Sequence, residues 1–250
     1  MSPSFAEIAP RYDALRPLSA GDHARLETML RDAALQAGDL VVEVGCGTGR
    51  LTLPLSAMTP ANVTGLDTEA RMLEVARSKD TAGRVEWARG SAYRLPMNDE
   101  AAALVVMVMV VHLLRQRVRA FTEARRILRP GGQLSLWTFT PRHVEDFYLN
   151  PYFPSIATID RPRFPSESVL SAELKRAGLD EVRVELRDEP RQISIADVVD
   201  RVRGRYISTL AMLPPLEYRL GLQRLEEMLA QDRSIMLVQR SEWAIITARK

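Results

Sequence analysis

The segment LVVEVGCGTGR, Leu40 to Arg50, sets one carboxylate and three glycines at the end of an apolar run. Gly45, Gly47 and Gly49 permit a tight turn and let a ligand lie directly against the backbone. Their spacing is GxGxG, whereas the dinucleotide fingerprint GxGxxG needs its last glycine one position later, which speaks against a nicotinamide cofactor. Glu43 lies inside the apolar run, where burying a carboxylate is costly unless a cation or hydrogen-bond donors meet it. Two readings stay open: it faces a ligand ammonium, or it caps a nearby loop or pairs with an arginine. Asp67 closes the next apolar run, VTGLD, and a carboxylate there can accept from both hydroxyls of a ribose. Met72, on the helix that follows, either covers one face of an adenine ring or packs in the core.

Further candidates follow the fourth and fifth apolar runs. His112 falls at the carboxyl edge, where open α/β sheets hold their ligands, and is a candidate base with a structural role as the alternative. His143, Tyr148, Tyr152 and Phe153 either wall a substrate pocket or pack a loop. Val108, Met109, Val111, Phe147, Tyr206 and Met212 complete an expected wall of apolar surface with few fixed charges, suited to a desolvated ring. Cys46 is the only cysteine, which excludes an intrachain disulfide and a cysteine-based zinc site, and no metal is expected.

The elements that must position these residues are legible from periodicity. Apolar runs of strand length at Leu40–Val44, Val63–Leu66, Val85–Trp87, Leu104–Val110 and Gln133–Phe139 alternate with amphipathic helices such as Ala70–Ser78 and Val118–Leu128. Strands apolar on both faces and separated by helices predict a parallel sheet covered on two sides, hence a doubly wound fold. After Phe139 a stretch rich in proline and aromatics, 141–165, reads as a long irregular segment of the kind usually kept for function. A helix over Ser166–Ala177, a strand over Val182–Leu186, two helices broken at Pro214 and Pro215, and a last strand over Glu242–Ala248 complete the chain. The expected architecture is a seven-stranded, mostly parallel, Rossmann-like sheet with helices on both faces and a helical cap, 190–238, inserted before the last strand. We read 1–250 as one domain, with residues 1–24 as an N-terminal lid segment.

Composition excludes several classes. The 250 residues are 46% hydrophobic and 26% charged, the usage of an ordinary globular chain and not of a disordered, collagenous or coiled-coil one. A net charge of +2 gives no general attraction to polyanions, and the arginines between Arg115 and Arg129 read as a solvated helix face. The N-terminus lacks the pattern of a secretory leader, and the longest apolar run, Ala101 to Val111, is too short to span a bilayer. The expectation is a cytoplasmic protein with no membrane or nucleic-acid partner.

The ordered series FAEIAPRYDALRP, EVGCGTGRLT, GLDTEARMLEVAR, EWARGSAYRLPMND, VVHLL and EARRILRPGGQL, about residues 5 to 136, resembles the class I S-adenosylmethionine-dependent methyltransferases, and within them the small-molecule branch called type 11. The resemblance implies S-adenosylmethionine as cofactor. It places Glu43, Gly45 and Gly47 around the methionine part, Asp67 on the ribose, Met72 on the adenine, Ser91 and Ala92 at the adenine edge, and Tyr12 and Arg16 near the methionine end. Val108, at the end of the fourth strand, belongs to the same set. The chain departs from the family where Gly90-Ser91-Ala92 replaces Gly-Asp-Ala, removing an acid beside the adenine, and where Ala102-Ala103 replaces Phe-Asp.

Methyl transfer from a sulfonium is an in-line displacement, so alignment and exclusion of water matter more than a nucleophile, and a base such as His112 or His143 is optional. The expected function is methyl transfer to a small, partly apolar or aromatic acceptor bound by Tyr148, Tyr152 and Tyr206, in a monomer or a homodimer. The alternatives are an RNA or protein methyltransferase, against which VVHLL stands in place of an Asn-Pro-Pro-Tyr type run, and a cofactor-binding regulatory protein without turnover.

Overall fold

The apolar runs become seven strands in the computed structural model, which describes residues 5–250. They are β1 (Leu40–Val44), β2 (Asn62–Asp67), β3 (Val85–Arg89), β4 (Ala102–Val108), β5 (Leu128–Phe139), β6 (Asp180–Ser194) and β7 (Met236–Arg249). Their order in the single sheet is β3-β2-β1-β4-β5-β7-β6. The first five are parallel, and β7 runs antiparallel to both β5 and β6. Sequence order reverses between β1 and β4, so the connections leaving these two strands diverge and open a crevice at their carboxyl ends.

The helices are α1 (Tyr12–Leu15), α2 (Ala20–Leu30), α3 (Thr52–Ala57), α4 (Ala70–Lys79), α5 (Arg117–Ile127), α6 (Pro141–Glu145), α7 (Ser155–Asp160), α8 (Glu167–Arg176), α9 (Ile195–Arg203) and α10 (Pro215–Gln231). Successive strand residues point to opposite faces, so Val42 and Val44 of β1 join one core with Phe121 of α5 and Leu170 of α8. Val41 joins the other, with Leu26 and Met29 of α2 and Leu55 of α3. This two-sided burial is why β1 and β4 are apolar at nearly every position. Helix starts follow local chemistry: Ser19 and Asp22 form a capping box on α2, and Ser166 and Ser194 cap α8 and α9.

The predicted fold class holds, with changed boundaries. The strand expected over Val182–Leu186 runs from Asp180 to Ser194, and the last begins at Met236, because the two pair along their whole length. Most of β6 and the first part of β7 are exposed, at Val184, Leu186 and Val238 among others, so they carry no continuous apolar run to read. The inserted helical segment is therefore 195–235, not 190–238: α9, a 3-10 turn at Ser208–Ala211, and α10. The stretch 141–165 is irregular only in part. It contains α6, whose first-turn N–H of His143 is met by the Thr140 hydroxyl, and α7. The turns after α6, α7 itself and the insertion share a third apolar core, with Phe147, Phe153, Ile156, Val198, Val202 and Leu225.

Of the N-terminal segment, residues 1–4 lie outside the described residues. A 3-10 turn at Ala9–Arg11 leads into α1, and α2 begins at Ala20. Among the described residues no helix is long and apolar enough to cross a membrane, and no group of three or more His, Cys, Asp or Glu is placed to hold a metal ion.

Candidate functional site

At the carboxyl ends of β1, β2, β4 and β5 the chain leaves a cavity of about 450 Å³, within the range of small-molecule sites. Its floor is the glycine turn. Gly45 has φ +78, and a Cβ there would collide with Val110, so it serves the turn itself. Gly49 is similarly closed by Trp87, 2.5 Å from where a Cβ would stand. Gly47 differs: with φ +56 it lines the cavity, and a Cβ on it would meet nothing within 4 Å. The turn is thus built on two crowded glycines and presents the third as bare backbone to whatever fills the space.

Asp67, the last residue of β2, joins the turn to the cavity. Its Oδ2 accepts from Gly47 N–H at 2.8 Å and its Oδ1 from Glu69 N–H at 2.8 Å, which uses about half of a carboxylate's acceptor capacity. Burial pushes its pKa up against those backbone hydrogen bonds. Met72, Ser91 and Ala92 line the wall beside it, and Val108 lines the opposite lip with Met109, whose φ of 54 turns the chain sharply out of β4. Glu43, for which a ligand-facing and a local role both stood open, is not part of the cavity wall. It is buried, its Oε2 has no hydrogen-bond partner among the described residues, and burial pushes its pKa from 4.5 to about 7. The nearby charge of Arg50 works against that rise and Asp67 adds to it.

The N-terminal segment and the cap supply another side of the cavity wall. Arg16 donates from Nη1 to Tyr12 Oη at 2.5 Å and from Nη2 to the carbonyl of Tyr206, fastening the segment after α1 to the loop after α9. Tyr12, Arg16 and Tyr206 all line the cavity. Tyr148 and Tyr152 do not: Tyr148 sits behind Tyr206, its Oη 2.9 Å from the Tyr206 hydroxyl, and Tyr152 donates to Met228 Sδ in the core of the cap. Of the other expected wall residues, Phe147 and Met109 line the cavity, whereas Phe153 and Val111 are core and Met212 is exposed.

Both histidines line the cavity as neutral rings. His112 stacks on Phe164 at 4.6 Å between centroids, its Nδ1 has no hydrogen-bond partner among the described residues, and burial together with the charges of Arg163 and Arg16 lowers its pKa to about 3. His143 stacks on Phe139 at 3.6 Å; burial likewise lowers it to about 3, against a hydrogen bond with the Arg240 backbone. Phe139 stacks in turn on Trp243 at 3.9 Å, so β5 and β7, paired Phe139 to Trp243, offer one continuous aromatic wall.

Several lining residues escaped sequence reasoning. Trp243 reaches the site only because β7 pairs antiparallel with β5, a partnership no local pattern reveals. Arg25 of α2 lies buried against the touching rings of Trp137 and Trp243, 4.6 and 4.8 Å from their centroids. Its Nη2 meets Asp22 Oδ1 at 3.0 Å, and Arg50 Nη1 meets Asp22 Oδ2 at 3.2 Å. Burial raises the Asp22 pKa, but the Ser19 N–H and the two arginines outweigh it and hold the carboxyl below its usual range. The capping box S-x-x-D at Ser19 was the one local signal for Asp22. Arg191 of β6 and Arg201 of α9 also face the cavity, so its wall is aromatic but not poor in fixed charge.

Residues 42–136 match the family described as a methyltransferase domain, type 11. The chain is 30% identical over 166 residues to the ubiquinone/menaquinone biosynthesis C-methyltransferase UbiE of Geotalea daltonii, covering 61% of this chain and 71% of that protein. It is 37% identical over 139 residues to the demethylmenaquinone methyltransferase of Lactiplantibacillus plantarum, covering 52% of this chain and 58% of that one. The chain thus spans about three fifths of the length of some curated relatives that it matches. Among solved structures, a putative methyltransferase of Bacillus halodurans superposes with a TM-score of 0.64 at 21% identity, over 92% of this chain and 99% of that one, a likeness of fold.

Proposed function

The chain belongs to the class I S-adenosylmethionine-dependent methyltransferases, in the type 11 branch, and on that premise we propose that it methylates a small acceptor with an apolar, ring-shaped body. The observation that carries the proposal is the continuity of one cavity from the bare backbone of Gly47 and the half-used carboxylate of Asp67 to the aromatic wall of Phe139, His143 and Trp243. One end fits an adenosyl group and the other a ring.

The residues present fit the cofactor. Gly47 leaves room against the backbone, and Asp67 keeps acceptor sites for ribose hydroxyls. Met72 and Ala92 supply apolar surface for the base, with Ser91 offering its hydroxyl at the edge. Tyr12 and Arg16 are the pair for the methionine carboxylate, since among the described residues Arg16 hydrogen-bonds to the Tyr12 hydroxyl and the Tyr206 carbonyl and to no carboxylate. When bound, S-adenosylmethionine supplies an electrophilic methyl group on a sulfonium. Glu43, behind the turn, contributes a negative charge that a cationic neighbour would favour by lowering its raised pKa.

What the chain itself does for the reaction is to orient and to exclude water. The cap loop at Tyr206 and the segment at Tyr12 and Arg16 are joined at the cavity wall through the Arg16 bond to the Tyr206 carbonyl. His112 is neutral at any ordinary pH and offers an unpartnered Nδ1, which makes it a hydrogen-bonding partner for the acceptor and a weak base. His143, held in the aromatic stack, serves as wall. The relatives named for ubiquinone, menaquinone and demethylmenaquinone point to ring-bearing acceptors of the same general shape.

The test is incubation with methyl-labelled S-adenosylmethionine and a panel of phenols, quinols and heteroaromatic compounds, following S-adenosylhomocysteine. Acceptor-dependent formation of the product is expected. Label transfer confined to RNA or protein would replace the small-molecule reading.

A further inference from the structure

Arg191 at the end of β6 and Arg201 on α9 come to the wall of the same cavity because the chain turns at Ser194 from strand into cap. Neither is paired with a carboxylate among the described residues. Arg191 donates from Nε and Nη2 to Gln239 Oε1 at 3.1 and 3.0 Å, and buried Gln239 donates from Nε2 to Ser241 Oγ at 2.9 Å. A neutral amide therefore fixes the guanidinium and leaves its charge and its Nη1 edge unused. Arg201 lies 5.9 Å from the Tyr206 ring centre, and the Tyr206 hydroxyl, bonded to Tyr148, has its pKa raised by burial and carries no counter-charge.

The carboxylates that line the cavity are otherwise engaged. Asp22 holds Arg25 and Arg50, Asp160 holds Arg163 and accepts from Thr209, Asp67 accepts from the backbone, and Glu69 accepts from the Arg71 N–H as the cap of α4. Burial and the charge of Arg201 both depress the Arg191 pKa, as two like charges sharing one wall require. The cofactor does not cancel this surplus. Its sulfonium and ammonium outnumber its one carboxylate, and that carboxylate is matched by Arg16. An uncharged acceptor would withdraw Arg191 and Arg201 from water without offering a counter-ion, which is costly.

We propose, resting on the methyl-transfer reading above, that the acceptor is an aromatic acid: its carboxylate lies between Arg191 and Arg201, and its ring against Phe139, His143, Phe164 and Trp243. The geometry suits it, since Arg191 is pre-positioned by Gln239 and a guanidinium edge matches a carboxylate.

The experiment titrates the protein with S-adenosylhomocysteine by calorimetry and then, at saturation, with 4-hydroxybenzoate, 3,4-dihydroxybenzoate, indole-3-acetate and 1-naphthoate, each against its methyl ester. At least one acid should bind tenfold or more tightly than its ester. Arg191→Gln and Arg201→Gln should each weaken that acid about tenfold, leaving the ester and S-adenosylhomocysteine unchanged, and Arg191→Lys should recover part of the loss. Retained S-adenosylhomocysteine binding certifies the fold of each variant. Equal affinity for acid and ester, indifference to both substitutions, or no binding by any acid overturns the proposal. Failure of S-adenosylhomocysteine to bind in the first titration defeats the methyl-transfer reading itself and takes this inference with it.

Discussion

Glu43→Gln is the perturbation whose consequence is most fully determined by the structure. Glu43 is wholly buried in β1 with one oxygen unpartnered, and burial raises its pKa from 4.5 to about 7. The unfolded chain releases that proton near 4.5, so between pH 4.5 and 7 the unfolded state binds fewer protons than the folded one. Stability that is complete below pH 4.5 is therefore lost as pH rises through 7. At 1.36 kcal/mol per pH unit, the loss approaches about 3 kcal/mol by pH 8. Glutamine keeps the shape and does not ionise. Urea unfolding of both proteins from pH 4 to 8 should give curves that diverge, the variant gaining about 3 kcal/mol on the wild type across the range. Other titrating groups cancel in the difference. Parallel curves would refute the reasoning, because they would mean that Glu43 ionises in the folded protein as readily as in the unfolded one.

The remaining predictions concern the cavity. Asp67→Ala should weaken S-adenosylhomocysteine by roughly 1–3 kcal/mol in calorimetry with the circular dichroism spectrum unchanged, since it removes a buried acceptor and strands the Gly47 and Glu69 N–H groups. His112 and His143, with pKa values near 3 against 6.5 in the unfolded chain, give stability that is complete above pH 6.5 and lost as pH falls toward 3. His143→Phe should flatten the acid side of a thermal-melt profile. Tyr206→Ala should raise the KM for the acceptor, whereas Tyr152→Ala, whose ring lies outside the cavity, should leave that KM unchanged and lower only the melting temperature.

The half of the molecule built from local repeats was readable in advance. Strand, glycine turn and helix follow one another in β1 to α4, and Gly45, Gly47, Asp67 and Met72, whose spacing is legible in the sequence, line one end of the cavity. The rest depends on pairing between distant segments. Trp243 meets Phe139 through antiparallel register, and Arg25 is fixed by two tryptophans from different strands. Arg191 and Arg201 converge because a hairpin hands over to a cap. None of these leaves a periodic trace, and the ribbon of β6 and β7, exposed over most of β6 and the first part of β7, hid even its own length. Tyr148 and Tyr152 illustrate the converse: aromatic residues in a functional-looking stretch that pack into the cap.

Calorimetric titration with S-adenosylhomocysteine, alongside NAD as a control, tests the central assignment most directly. The structure predicts saturable one-to-one binding of S-adenosylhomocysteine that is weakened by Asp67→Ala, and no heat with NAD. Binding of NAD with no response to S-adenosylhomocysteine would contradict the account.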